Sequence, residues 1–279
     1  MDIRRKIYYF LSPNLRYIVR RLYYLPFDIV SFLAPPKSYL HPPKGMIFTG
    51  SGDFIKTGER FREIFIRHCG LLPSHYVLDV GSGIGRIAIP LSEYLSKEAR
   101  YEGFDIVKTG IDWCEKNITT SFPNFRFTHI DLENDLYNLS TSKRAKNFNF
   151  PYEDNSFDLV ILTSVFTHMM PEDIENYVYQ ISRVLRAGGR CIMTFFIINK
   201  ENIQNMNTNN GLVFNYMYGH YSLMDKDVKE ANIAFQEDYL LNLLDKNKLK
   251  VELIKYGYWS GRDKSSCLDF QDIIIVVND

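Results

Sequence analysis

The sequence lacks an imbalance of charge: its 33 Lys and Arg are matched by 33 Asp and Glu. Nothing in the overall charge therefore points to a nucleic-acid backbone as partner. Cysteine is scarce, and Cys69, Cys114, Cys191 and Cys267 are scattered with no C-x-x-C pair. That spacing implies neither a zinc site nor a disulfide framework. Three of the four fall inside predicted helices or strands, where a buried free thiol is the simpler reading. This fits a reducing, cytoplasmic setting. Charges interrupt every apolar run in residues 1–33, so neither a signal-peptide core nor a membrane span fits there. No cluster of metal ligands is apparent. What the chain has is size and apolar content, 279 residues at 46% hydrophobic. That accommodates one large α/β domain with additions and excludes global disorder.

The informative stretch runs from Tyr76 to Leu91. A short apolar run, Tyr76 to Val80, predicts a strand buried on both faces. Three glycines at alternate positions follow, Gly81, Gly83 and Gly85, and then the apolar spacing Ile84, Ile87, Ala88, Leu91 and Leu95 predicts a helix. Glycines between strand and helix admit positive φ and a close ligand, and the helix start offers unpaired N–H groups. A dinucleotide fingerprint needs its third glycine three residues after the second. Arg86 stands at that position instead. Asp79, at the strand end, would repel a pyrophosphate but suit a cationic ligand.

The pattern Asp79-x-Gly81-x-Gly83-x-Gly85 resembles the first motif of the class I S-adenosylmethionine-dependent methyltransferases. Further segments occur in that family's order. Tyr101 to Ile106 predicts a second strand ending at Asp105, 105 − 85 = 20 residues after the last glycine. A carboxylate there can accept both ribose hydroxyls of an adenosine. Phe125 to Ile130 predicts a third strand ending at Asp131. Phe150-Pro151 through Phe157-Asp158 resembles the family's lead into its fourth strand, and Gly188-Gly189 its turn into the fifth. The resemblance covers roughly residues 54–279. It implies a doubly wound, mostly parallel seven-stranded sheet with helices on both faces and a closing antiparallel strand pair. Its ligands should lie beyond the carboxyl ends of the strands.

S-adenosyl-L-methionine is then the expected cofactor. The resemblance puts its amino acid end on Asp79, Gly81, Ser82, Gly83 and Gly85, and its ribose on Asp105 and Ile106. Asp131 and Leu132 are the adenine candidates, and Thr163 lies after the fourth strand. His168, also beyond that strand, matches the place where sugar O-methyltransferases of this type carry a proposed base; pocket lining or helix capping is its plainer reading. A small-molecule acceptor, most simply a sugar or natural-product-like hydroxyl, is the leading expectation. No nucleic acid is expected, because Asn149-Phe150-Pro151-Tyr152 precedes the fourth strand rather than following it, unlike the Asn-Pro-Pro-Tyr motif of amino-group methyltransferases. A membrane-associated enzyme acting on a lipid or lipid-linked glycan, and a non-catalytic nucleoside-binding module, are the alternatives.

The remaining segments divide the chain. Residues 1–53 form a basic, aromatic arm with Arg4, Arg5, Lys6, Arg16, Arg20 and Arg21, then a connector through Pro35-Pro36 and Pro42-Pro43. Pro13 and Pro26 interrupt any amphipathic period, so the arm is expected to pack its apolar side on the domain or cover the active site. Contact with an anionic membrane surface is the alternative. Residues 133–149 read as an exposed basic insertion. Residues 199–234 are either a substrate lid, presenting Tyr216, Tyr218 and His220, or a surface elaboration with an aromatic core. Trp259 and Arg262, between the closing strands, are expected near the acceptor pocket.

Overall fold

The structure is a computed structural model that describes residues 11–33, 40–50, 52–208 and 212–279. Its framework is a seven-stranded sheet built from β1 (Tyr76–Val80), β2 (Arg100–Asp105), β3 (Phe125–His129), β4 (Phe157–Leu162), β5 (Leu185–Phe195), β10 (Leu249–Lys255) and β11 (Asp272–Asn278). The order is β3-β2-β1-β4-β5-β11-β10. The first five strands are mutually parallel, whereas β11 runs antiparallel to both β5 and β10. The expected closing pair is therefore present. The chain starts at β1, in the middle, works outward to β3, then returns to β4 on the other side. That reversal opens a crevice above the carboxyl ends of β1 and β4.

Alternation along the strands explains the two-sided core. Leu78 and Val80 pack on one face with Val160, Leu162 and Met193, while Val77 faces the other way with Leu159, Ile161 and Ile192. Helices α5 (Pro171–Val184) and α7 (Glu237–Lys246) cover the first face through Ile174, Val178, Ile181, Leu240 and Leu244. The second face is covered by α2 (Phe54–Cys69), α3 (Ala88–Ser92) and α4 (Lys108–Cys114), through residues such as Phe61, Phe65, Ile89 and Ile111. Asp53 caps α2, accepting the Lys56 N–H at 3.0 Å, and Gly70 ends it in the left-handed region.

Several elements differ from expectation for local reasons. The helix behind the glycine loop is a single turn, α3, because Gly85 at φ 80° delays helical backbone and Pro90 removes a donor. Beyond Phe195 the chain leaves the main sheet. Strands β6 (Ile197–Ile198), β7 (Tyr216–Tyr218), β8 (Tyr221–Leu223) and β9 (Ile233–Gln236) make a second sheet in the order β6-β9-β8-β7, with α6 (Lys200–Thr208) beside it. Residues 133–149 are not a free insertion. Asn176 Nδ2 donates to the carbonyls of Ala145 and Phe148 at 2.9 and 2.8 Å, clamping the segment on α5.

The arm also departs from its reading. Pro13–Leu33 is one helix, α1, continuing through Pro26, and Pro13 at its first position has no hydrogen bond to lose. It meets the domain with its polar side. Arg16 is buried, and the Asp28 carboxylate accepts the N–H groups of Lys44 and Gly45 at 2.7 and 3.0 Å. Arg4, Arg5, Lys6 and Pro35-Pro36 lie outside the described residues. Among those described, no helix is long and apolar enough to cross a membrane, and no group of His, Cys, Asp and Glu could hold a metal ion.

Candidate active site

A cavity of about 930 Å³ opens above β1, β2 and β4. Its floor is the glycine loop. Gly81 and Gly83 take φ of 77° and 60°, and each is pinned by a neighbour. A Cβ on Gly81 would stand 2.5 Å from Val165 Cγ2, and one on Gly83 2.7 Å from Thr49 Cγ2. Only a bare backbone fits there. The N–H groups of Gly81 and Ser82 both donate to the Phe104 carbonyl, at 2.8 and 3.0 Å, and that of Gly83 to Asp105 Oδ2 at 2.8 Å. The loop thus spends its donors on β2. It is no anion cradle, which suits a ligand whose end is cationic.

Asp105 is the acid at the tip of β2, facing the cavity. Its Oδ1 accepts the Val107 N–H at 2.7 Å, so both oxygens are fixed by backbone donors. Burial raises its pKa, with those amides pulling it back toward the usual carboxylate range. A carboxylate has about four acceptor positions, so two remain for a diol. Asp79 lies beneath the floor, fully buried and outside the cavity walls. Its Oδ2 accepts the Tyr101 hydroxyl at 2.5 Å while Oδ1 has no partner. Burial pushes this carboxyl up to about 7, against the Tyr101 hydrogen bond.

Positive charge gathers beside the loop. Arg86 lines the cavity, donates to the Thr49 carbonyl at 3.3 Å and leaves Nε unpartnered. Burial lowers its pKa, with Asp269 and Asp79 opposing the shift. Arg60 pairs with Asp269 at 2.5 Å on the same wall. At the tip of β4, Ser164 is held at φ 60°, a conformation non-glycine residues rarely take; its N–H donates to Thr194 Oγ1 at 2.7 Å. Backbone so constrained concentrates at ligand sites.

The opposite wall carries His168. Its Nδ1 lies 2.9 Å from the Glu230 carbonyl oxygen, an obligate acceptor, which assigns the proton to Nδ1 and the lone pair to Nε2. Burial lowers the His168 pKa, so the ring is neutral at pH 7. The Glu230 carboxylate accepts the Asp135 N–H at 2.5 Å, and burial pushes it up to about 8. Asn134 Nδ2 donates to the His168 carbonyl at 3.0 Å, and the Tyr137 ring meets the imidazole edge-on at 5.7 Å between centroids.

Residues 78–193 match the family model described as a methyltransferase domain. The chain carries an S-adenosylmethionine-dependent methyltransferase domain of the class I fold. Over 137 residues it is 26% identical to the tRNA N(3)-cytidine methyltransferase METTL2 of Gallus gallus, covering 48% of this chain and 34% of that protein. It is 25% identical over 143 residues to the methyltransferase GfsG of Streptomyces halstedii, covering 51% of this chain and 45% of that one. The matches thus span less than half the length of either relative. Among solved structures, the 1,6-didemethyltoxoflavin-N1-methyltransferase of Burkholderia thailandensis, with S-adenosylhomocysteine bound, superposes with a TM-score of 0.51 at 15% identity, covering 96% of this chain and 90% of that one.

The site of the methyltransferase domain fits its cofactor. The glycine floor admits close approach of a ligand to the backbone, and Asp105 on the cavity wall keeps two acceptor positions, as a ribose diol requires. Of the residues singled out in the sequence, Gly81, Ser82, Gly83, Asp105, Ile106, Leu132, Thr163 and His168 share the cavity wall. Gly85 lies behind it, where a Cβ would meet Ile118 at 2.7 Å. Asp131 points elsewhere, accepting from Asn138 Nδ2 at 3.1 Å.

The structure does not bring the expected acceptor residues to the cavity. Tyr216 and Tyr218 are exposed on β7, and His220 stacks on Tyr239 at 4.1 Å between centroids. Trp259 is buried, donating from Nε1 to Asp272 at 2.7 Å, and Arg262 is engaged by Asn202 and Glu201. Leu212, Glu230 and Asn232 line the wall instead. Sequence reasoning missed Arg60, Arg86, Asn134, Tyr137 and Glu230. Only Arg86 carried a signal, as a charge where a dinucleotide motif would have glycine.

Proposed function

We propose that the protein methylates a hydroxyl of a small acceptor, with His168 as the base. The observation that carries this reading is the His168–Glu230 hydrogen bond in the cavity wall, which holds the proton on Nδ1 so that the ring, when neutral, has its lone pair on Nε2. Burial favours the neutral form, and the backbone carbonyls of Glu230 and Ala231 oppose it. When bound, S-adenosylmethionine supplies an electrophilic methyl carbon. The glycine floor and Asp105 would then fix where that carbon sits relative to the acceptor. His168 takes the hydroxyl proton at Nε2 as the acceptor oxygen becomes nucleophilic.

Residues 54–279 would act as one catalytic unit. The 199–234 excursion is its acceptor-side wall, a reading supported by Leu212, Glu230 and Asn232 rather than by the tyrosines of β7. The N(3)-cytidine activity of the chicken relative belongs to that protein; a balanced charge and a walled cavity favour a small acceptor here. Incubation with labelled cofactor and either small-molecule extract or tRNA tests the reading. Label in a small molecule whose linkage resists acid as an ether supports it. Label in tRNA overturns it, and tight cofactor binding without transfer to either fraction would make the protein a binding module.

A further inference from the structure

Helix α1 is inside out. At about 100° per residue, Arg16, Tyr17, Arg20, Tyr24 and Asp28 share one side. That side is the one turned to the domain, with Arg16 buried and the other four half-buried. The opposite side carries Ile18, Leu22, Leu25, Ile29, Val30 and Leu33, between 50% and 77% exposed. An ordinary surface helix does the reverse. We infer that α1 is a docking helix that lies in the surface of an anionic lipid bilayer.

Three observations favour lipid over a second protein surface. The six exposed apolar residues sweep roughly 140° of the helix circumference, wider than the narrow seam that a helix-to-helix contact buries. Fluid acyl chains can cover so broad an arc. The flanks are basic: Arg21 is exposed at one edge of the arc, and the exposed Lys44 holds its Nζ 5.6 Å from the Phe27 ring. Residues 1–33 hold six Arg and Lys against two Asp in a chain whose net charge is zero. Such a segment is drawn to anionic headgroups. Tyr23, 70% exposed, suits the headgroup level.

The helix is also joined to the active site. Arg16 Nη1 donates to the Leu136 carbonyl at 2.9 Å, and Tyr17 meets Phe48 at 5.8 Å between centroids. Phe48 and Tyr137, beside Leu136, line the cavity. Docking would therefore bring the cavity wall to the lipid surface. The inference does not depend on the proposed hydroxyl chemistry, since it is read by binding alone.

The test is sedimentation of the full chain with vesicles of phosphatidylcholine and phosphatidylglycerol in equal parts. The chain should pellet with them, more weakly with pure phosphatidylcholine or in high salt. Replacing Leu22→Glu and Val30→Glu together should cut partitioning by at least about tenfold, with S-adenosylhomocysteine affinity unchanged as evidence of folding. A wild-type chain that stays in the supernatant overturns the inference, as does a double variant that pellets equally. Light scattering that finds a dimer dissolved by the double variant, without vesicle binding, would assign the face to a second copy instead.

Discussion

His168 donates its Nδ1 proton to the backbone carbonyl of Glu230 at 2.9 Å, across 62 residues of sequence. A carbonyl cannot rotate away or titrate, so the tautomer is set by the path of the chain. Replacing His168 by Ala should lower turnover by about a hundredfold or more, the usual worth of a general base. Cofactor affinity should stay within about twofold, because the groups proposed to hold the nucleoside, the glycine floor and the Asp105 acceptor, lie on another wall. Because burial lowers the His168 pKa, the acid limb of the turnover profile should fall below the ordinary histidine value of about 6.5. A pH–rate profile with the limb at or above 6.5, or unchanged turnover in the variant, would remove His168 from the mechanism.

The floor of the cavity should tolerate no side chain at Gly81. A methyl there meets Val165 Cγ2 at 2.5 Å and demands a strained φ of 77°. Gly81→Ala should weaken cofactor binding by about tenfold or more and lower the melting temperature. Pairing it with Val165→Ala should recover part of the affinity, since the clash is removed and the strain is not. Equal affinity of Gly81→Ala and wild type in a calorimetric titration would show that the floor is not a contact surface.

Buried carboxyls give the fold a pH signature. Burial raises Asp79 to about 7 and Glu230 to about 8, while unfolded carboxyls lose their protons near 4. Between these values the folded chain holds protons that the unfolded chain releases. The stability these groups contribute is complete below about pH 4 and is lost as pH rises through 7 to 8. Asp79→Asn should flatten that decline, so that its melting temperature gains on wild type at pH 8.5 relative to pH 5.5. Parallel curves for the two proteins would place the Asp79 proton elsewhere.

How much of this was readable beforehand follows the range of the interactions. The strand, the three glycines and Asp105 lie within a short span, so the strand-to-helix turn and the resemblance it carries were legible, and the mostly parallel sheet with its closing pair was expected from that resemblance. His168 was visible as a residue after β4, but its tautomer depends on Glu230, which packing supplies. The acceptor side was not readable: Tyr216 and Tyr218 have the composition of a binding surface, yet β7 pairs at the edge of a second sheet and turns them outward. Trp259, expected near the acceptor pocket, is core, with Phe196 and Phe214 against it. Proline misled at α1, because Pro13 at a first position costs nothing and Pro26 did not end the helix.

The account rests on the junction of Gly83 and Asp105 as a nucleoside site, and calorimetry with S-adenosylhomocysteine addresses it most directly. The wild-type chain should bind that nucleoside and give no heat with NAD. Asp105→Ala should bind it at least about tenfold more weakly, having lost charge-assisted hydrogen bonds to the ribose. No heat from the wild type with S-adenosylhomocysteine, or tight binding of NAD in its place, would contradict the account.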